Sequence, residues 1–438
     1  MSLPLTAAKS TVGLHYNNWD EIMTCEPLTY STPGDESEVV AAILRAKDRG
    51  EYLKVVGSGL SFSGVQLSAS KQGNIISVER INKISKVEPY LDGTGALVEV
   101  GAGIELRELC RELEVRGLAL PNLGATATQT IIGAATTGTH GTGANIGGIA
   151  TSIHALRIVD GSGNILTASA DENKDIFDAA RVGVGAVGVV TSVTLKTVPI
   201  WKMKKFSLSY SLQQLLVDLP VLMEKFERLQ WSWLPYTDEA TVLIREDVPW
   251  DEPIYPPGPD GGCWSSTQST ATCVDVSYKT LTDSLEHYLE RELYTEMEMF
   301  IDSSDTISAV NDFVAYMDTV KDKHDPSIYL SAMIRYVAAD DITISPMHGR
   351  NTSVMSFIVL GDQESTGNQT EFEMYARGLE DLTEAKYDSR PHWGKVNYAD
   401  YKYLQGAFGD YYTDFKRVME KMDPSGIFRN DYLLQRFQ

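Results

Sequence analysis

The chain has no run of 18 consecutive apolar residues, so no segment reads as a membrane-spanning helix. It has only four cysteines, Cys25, Cys110, Cys263 and Cys273, and no C-x-x-C pair. That spacing excludes a zinc ribbon and a thioredoxin-type redox motif, and no metal is expected. Cys263 and Cys273 are close enough to close a loop, and the sequence leaves their pairing open. Cys110 falls on the apolar face of a helical pattern and reads as a small core hydrophobe. Residues 1–19 lack a basic stretch followed by an apolar one, so no signal peptide is expected and the cytosol is the default compartment. Basic residues are few: 38 Lys and Arg stand against 60 Asp and Glu, a formal net charge of −22. An acidic surface of that size repels nucleic acid and anionic membranes, which excludes both as partners. Internal repeats and low-complexity tracts are absent, and nothing in the sequence speaks to oligomeric state.

What is there is enough for more than one core. A chain of 438 residues exceeds the usual length of one domain, and 43% hydrophobic with 22% charged residues is ordinary for globular protein. Thr32 or Asp35 caps a predicted helix with Val39, Val40, Ile43 and Leu44 at helical spacing, and Gly50 stops it. YLKVV (52–56) and ALVEV (96–100) read as strands. Leu106, Leu109 and Leu113 share one face of a helix ending near Gly117. IHALRIV and NILTA, joined by DGSG, read as a hairpin, and AVGVVTSVTLKTVPI as a buried strand. After about residue 201 glycine thins out and Trp, Tyr and Met become frequent. There DVPWDEPIYPPGPDGG (247–262) reads as a long loop, SLEHYLERELYTEMEMF as a helix, and SIYLSAMIRYV and TSVMSFIVLG as strands. The tail reads as a helix, a Pro-Gly turn and a short amphipathic end.

Three glycine-rich stretches carry the chemical signal. Gly57-Ser58-Gly59-Leu60-Ser61-Phe62-Ser63-Gly64 follows the strand ending at Val56. Alternating glycines let backbone approach a ligand, and successive amides form an anion nest suited to a pyrophosphate. Read alone, such a loop is more often a plain tight turn, and it is not the G-x-G-x-x-G that opens a Rossmann helix. The second stretch is Gly124-Ala125-Thr126, then Gly133 and Thr136, then Thr139-His140-Gly141-Thr142-Gly143. Its small side chains leave room for a large flat ligand, and a lone His140 is more often structural than catalytic. The third, Gly183 to Gly188-Val189-Val190, alone would pass as the start of a buried strand.

Together, V-G-S-G-x-S-x-x-G, T-G-T-H-G-T-G and G-x-G-x-x-G-V-V-T-x-V-T-L resemble the FAD domain of the vanillyl-alcohol oxidase superfamily. His392-Trp393-Gly394-Lys395, with Asp423-Pro424-x-Gly426-x-Phe428, resembles its aldonolactone oxidoreductase and alditol oxidase branch. The resemblance covers 25–200 and 325–438 well and 201–320 loosely. It implies an α+β, two-domain FAD-binding fold of the vanillyl-alcohol oxidase type: a flavin domain over 1–200, a cap or substrate domain over 201–400, and a 401–438 segment returning to the flavin domain. Gly57 to Gly64 would wrap the FAD pyrophosphate. Many relatives carry, at the position of Leu60, a histidine bonded covalently to the flavin. Leucine has no nucleophile, so the resemblance implies non-covalent FAD.

The implied reaction is oxidation of a secondary hydroxyl in a sugar-derived lactone, L-gulono-, L-galactono- or D-arabinono-1,4-lactone. Oxygen would be the acceptor and hydrogen peroxide the product, the chemistry of ascorbate biosynthesis. Gly124 stands where oxygen-reactive members tend to have glycine and poor oxygen users alanine, which implies oxygen access. Lys395 and Arg335 match positions on the substrate side of the flavin, where a cation stabilises a developing alkoxide. Either would otherwise read as a snorkelling surface cation. His392 is the candidate general base. The chain departs from the pattern at Met333, where relatives usually carry Glu, and at Ser356 and Ile358, where alditol oxidases carry His and Thr. A pocket with fewer polar partners weakens the reading as an alditol oxidase and leaves a less polar alcohol open. The residues are also compatible with a dehydrogenase passing electrons to a cytochrome or quinone, and with a flavin-binding homologue without turnover.

Overall fold

The Asp35 carboxylate accepts the Glu38 backbone N–H and opens the first helix, Glu36–Arg49. Glu36 and Glu38 occupy its first turn, Lys47 and Arg49 its last, and Gly50 ends it in the left-handed region at φ 64°. Each choice agrees with the polarity of a helix. Asp35 rather than Thr32 is the cap. The structure is a computed structural model, and it describes residues 10–11, 15–69, 72–256, 272–282, 294–325, 328, 330–360 and 366–438.

Two sheets build the first half of the chain. Strand Tyr52–Val56 lies parallel to Gly73–Ser77, which in turn pairs with Tyr30–Ser31. A larger antiparallel sheet runs in the order Ile165–Ser169, Ile153–Val159, Val189–Pro199, Ala96–Gly101, Ile84–Pro89. Its inner side chains, such as Val98, Val100, Leu156, Ile158 and Val193, share one core with Val39 and Ile43 of the first helix. The same core takes Trp393 and, from the C-terminal end, Phe415, Phe428 and Phe437. The C-terminal turn reaches the glycine loop directly. The Asn430 side-chain amide donates to the carbonyls of Gly64 and Leu67, and the Leu53 N–H donates to the Ile427 carbonyl.

An eight-stranded antiparallel sheet dominates the remainder. Its order is Thr272–Val276, Lys202–Ser211, Glu239–Val248, Arg228–Trp233, Leu330–Val337, Thr352–Leu360, Tyr294–Asp302, Arg390–Pro391. Side chains alternate between faces with period two. Met297, Met299, Ala332, Ile334, Met355 and Phe357 fill a second core beneath helices Leu212–Lys225, Thr306–Val320 and Thr366–Tyr387. The opposite parity carries Glu296, Glu298, Met333, Arg335, Ser356 and Ile358.

The structure corrects one element. The helix expected over SLEHYLERELYTEMEMF is a strand from Tyr294 to Asp302, buried along almost its whole length. Residues 283–293 lie outside the described residues. Within T-E-M-E-M-F the central E-M-E-M alternates with the period of a strand, and tertiary burial on both faces settles the outcome. The loop expected from Asp247 begins two residues later, at Pro249, because strand Glu239–Val248 runs on into it; residues 257–262 are outside the described residues. Cys110 is buried, and burial pushes its thiol up to about 12. Cys25 is also a free thiol, while Cys273 is disulfide-bonded and Cys263 lies outside the described residues. Among the described residues no helix is long and apolar enough to cross a membrane.

Candidate active site

The loop from Gly57 forms the floor of a first cavity. A Cβ on Gly57 would stand 2.1 Å from the Thr130 hydroxyl oxygen, and Gly59 sits at φ +72°. Both positions therefore require glycine, one for close approach and one for conformation. Val56 to Ser61 line this cavity on one side, Gly133 and Thr136 on another, and Gly188 and Val190 on a third. Behind the loop Lys54 is buried, its ammonium donating to the Val184 carbonyl at 3.0 Å.

Burial pushes the Lys54 ammonium down from 10.5 to about 7, with Asp423 only partly offsetting it. Between those values the unfolded chain binds the extra proton, so apoprotein stability should rise with pH across that window, by up to about 1.4 kcal/mol per unit. Lys54→Met should remove this rise. Urea unfolding of the two apoproteins at about pH 7 and about pH 9 measures it, and parallel curves would contradict it.

The second cavity opens where the first ends, and Leu60, Ser61, Gln129 and Thr137 line both. Its walls come from four places. Gly124, Ala125 and Thr126 form one side, and Thr139 with His140 another. Met333, Arg335, Ile358, Glu296 and Glu298 project from the large sheet. His392, Gly394 and Lys395 come from a segment that runs along the edge of strand Tyr294–Asp302. Three backbone bonds fix that segment: His392 N–H to Glu298 carbonyl, Val396 N–H to Glu296 carbonyl and Phe62 N–H to Gly394 carbonyl. Trp19, Phe62 and Tyr294 add a cluster of rings with centroids 4.8–5.3 Å apart.

Charges are paired inside this cavity. The Lys395 ammonium contacts Glu296 and lies 4.6 Å over the Phe62 ring. Ser356 donates its hydroxyl to the other Glu296 oxygen at 2.5 Å. Burial raises the Glu296 carboxyl, and Lys395 and Ser356 only partly offset this. Burial acts on Glu298 too. There Lys395, the His140 hydrogen bond and His392 outweigh it and hold that carboxyl well below its usual range.

His140, Glu298 and His392 place donor atoms within 4.8 Å of one another, a set that would suit a metal. The hydrogen bonds of His392 favour a proton there instead. His140 Nδ1 faces the Gly141 carbonyl at 2.8 Å and so carries hydrogen, leaving Nε2 toward Glu298 at 3.3 Å. His392 Nδ1 accepts the Gly394 N–H at 3.0 Å, so its proton sits on Nε2, facing Glu298 at 3.7 Å. With that proton in place His392 has no lone pair to offer a cation or a substrate. Burial, partly countered by Glu298, also pushes its imidazole down to about 3. The expectation of His392 as general base is thus corrected: it is a buried neutral donor.

Most of the predicted residues meet at the two cavities, but seven do not. Ser63 donates its hydroxyl to the Trp393 carbonyl, and Gly64 is held by Asn430. Thr142 donates to the Leu229 carbonyl, Gly143 N–H to the Tyr336 carbonyl, and Gly141 lies against Asn122. Val189 points into the first core. Ser356 acts behind Glu296 rather than on the cavity wall. Sequence reasoning missed Glu296, Glu298, Lys54, Trp19 and Tyr294. The glutamates had a readable signal in the period-two alternation of T-E-M-E-M-F.

The two joined cavities suit FAD: one is a glycine-lined slot for a pyrophosphate and its flanking groups, the other a wider chamber with aromatic and charged walls. Similarity to known proteins agrees. Residues 27–169 match the FAD binding domain family, and residues 262–436 match the D-arabinono-1,4-lactone oxidase family. The chain is 29% identical to an L-gulono-1,4-lactone dehydrogenase of Mycobacterium tuberculosis, over 95% of this chain and 97% of that one. It is 27% identical to an L-gulonolactone oxidase of Mus musculus, over 97% and 98%. Cholesterol oxidase from B. sterolicum superposes with a TM-score of 0.83 at 15% identity, over 99% and 97% of the two chains. The chain thus carries an FAD binding domain and a D-arabinono-1,4-lactone oxidase domain on a fold of the vanillyl-alcohol oxidase type, and is similar over nearly its whole length to aldonolactone oxidoreductases.

Proposed function

We propose that this chain oxidises a secondary hydroxyl of a sugar-derived 1,4-lactone, holds FAD without a covalent bond, and passes the electrons to O2. The observation that carries this reading is the second cavity, where Arg335, Lys395 and a buried carboxylate stand together beside Gly124. Bound FAD supplies the two-electron acceptor. The chain's own groups do the rest. Arg335 and Lys395 set positive charge where an alcohol oxygen becomes negative, the preorganised term that usually matters most. Trp19, Phe62 and Tyr294 offer apolar faces to the C–H side of a ring and exclude water. Two separate hydrophobic cores favour a flavin half built on 1–200 and a cap within 201–400, with 401–438 closing back on the first core, which also takes Val276, Leu281, Ile342, Ile344 and Trp393 from the later segment. Leu60 stands at the junction of the cavities with a hydrocarbon side chain, so acid precipitation should release yellow flavin into the supernatant.

One anaerobic experiment tests the substrate and acceptor. Flavin absorbance should bleach on adding L-gulono- or L-galactono-1,4-lactone and return rapidly in air. A yellow protein that no lactone bleaches would remove the lactone reading. A methyl on Gly124 would stand 3.0 Å from Thr139 Cγ2 and 3.3 Å from the His140 carbonyl, closing space at the chamber wall. Gly124→Ala should therefore slow reoxidation by about tenfold or more, some 1.4 kcal/mol, while anaerobic reduction is unchanged. A second reading, a dehydrogenase with a cytochrome or quinone acceptor, is favoured by the name of the mycobacterial relative. Slow colour return in air with rapid return on adding a quinone would select it.

A further inference from the structure

A hydroxyl that becomes a ketone must lose a proton as well as a hydride. His392 cannot take the proton, because its only lone pair is occupied by the Gly394 N–H. Lys395 is a cation against Glu296, and Arg335 has no acceptor. Glu298 is a carboxylate faced by two imidazoles and held well below its usual range, which makes it a poor acceptor. His140 is engaged at both nitrogens, Nδ1 with the Gly141 carbonyl and Nε2 with Glu298, so among the described carboxylates and imidazoles lining the chamber Glu296 remains.

We infer that Glu296 is the catalytic base of the alcohol oxidation, a carboxylate delivered from strand Tyr294–Asp302 to a chamber whose central strand presents Met333. The register makes this possible. Met333 pairs with Ser356, and Ser356 pairs with Glu298 on strand Tyr294–Asp302, two residues from Glu296. Ser356 lies between, and its hydroxyl holds one Glu296 oxygen while Lys395 holds the other. Each oxygen keeps a second lone pair for a substrate hydroxyl. The Gln230 amide donates to the Met333 sulfur at 3.8 Å. Atoms and electrons balance. The substrate O–H bond breaks and its proton joins Glu296. The O–H electron pair becomes the second bond of the new C=O, and the C–H pair leaves with its hydrogen as hydride, for which bound FAD would supply the two-electron acceptor. Lys395 and Arg335 line the same chamber and would balance the negative charge that Glu296 gives up. Burial raises Glu296 toward working pH, where a general base is most effective.

Lys395 on the edge segment, Glu298 on its own strand and Ser356 act on its titration, and the other charged or titratable groups sharing the chamber are His392, His140 and Arg335. This inference rests on the alcohol-oxidase reading but not on the identity of the alcohol. It is therefore tested with whichever member of a lactone and cyclic-alcohol panel bleaches the wild-type holoenzyme. If only a non-lactone works, the lactone reading falls and Glu296 is still put to the test.

In anaerobic stopped flow, E296Q should bind that alcohol within about threefold of wild type, read from the perturbed flavin spectrum, yet be reduced on the order of 10²–10⁴-fold more slowly. The rise of the wild-type reduction rate with pH, which reports Glu296 losing its proton, should vanish. E296D, which keeps a carboxylate, should restore the rise at a reduced rate, and dithionite should bleach all three proteins alike. E296Q reduced within about tenfold of wild type, or keeping the wild-type pH rise, would overturn the assignment. If E296Q fails to retain flavin, Ser356→Ala decides: loss of a donor to the carboxylate should move the pH rise upward, and an unmoved rise counts against Glu296.

Discussion

Lys395→Met should lower the rate of flavin reduction by substrate on the order of 10²–10³-fold, about 3–4 kcal/mol, while dithionite reduces the variant normally. The size follows from where the ammonium sits. Its backbone is pinned by the bond from its own N–H to the His392 carbonyl, and its side chain is held between Glu296 and the Phe62 ring. A charge fixed before the reaction needs no reorganisation when the alcohol oxygen becomes negative. Methionine keeps the length and loses the charge. It also removes the main influence lowering the Glu296 carboxyl, so the rise of rate with pH should shift upward. Anaerobic stopped flow reads both effects. A variant reduced within about threefold of wild type would transfer the electrostatic role to Arg335 alone.

Glu298→Gln should destabilise the protein by about 3–5 kcal/mol, the usual result of breaking a buried charge network by removing one member. Glu298 is 3% exposed and is the group that both His140 and His392 face. Both rings face the same carboxylate oxygen, so an amide oxygen there keeps an acceptor but removes the negative charge that the pair of imidazoles surrounds. The pH dependence gives a second, independent sign. The folded-state carboxyl is held below its unfolded value of 4.5, so its contribution is present above that pH and is lost as pH falls through the folded value. Wild-type stability should therefore drop on acidification in a way the variant lacks. Urea midpoints at about pH 7 and about pH 4 separate the two; equal losses in both proteins would show that Glu298 is not the acid-sensitive anion.

Much of the flavin half was legible because its signals are local. Asp35, Gly50 and the Val39 and Ile43 spacing write a helix into one short stretch, and Gly57 and Gly59 announce a backbone that no other residue can follow. The chamber was harder. Lys395 and Arg335 were found only through motif resemblance, since an isolated cation reads as surface. His392 looks suitable as a base until the Gly394 N–H and the Glu298 carboxylate are seen around it. Glu296 and Glu298 were missed because a run rich in Glu, Leu and Tyr has strong helix propensity, and period two was outvoted by composition. Their meeting with His140, 158 positions from Glu298 along the chain, is a product of sheet register and long-range pairing that no local pattern records.

The alternation of the large sheet has a consequence for how this enzyme can change. On strands Tyr294–Asp302, Leu330–Val337 and Thr352–Leu360, the even and odd positions answer to different demands: one parity faces the chamber, the other the helices behind. A substitution at 333, 356 or 358 alters chemistry without disturbing the packing at 334, 355 or 357. Drift in substrate preference is thereby uncoupled from folding, as on a comb whose teeth are exchanged while its spine stays whole. Methionine at 333, with acid groups standing two strands away, reads as one such replaced tooth.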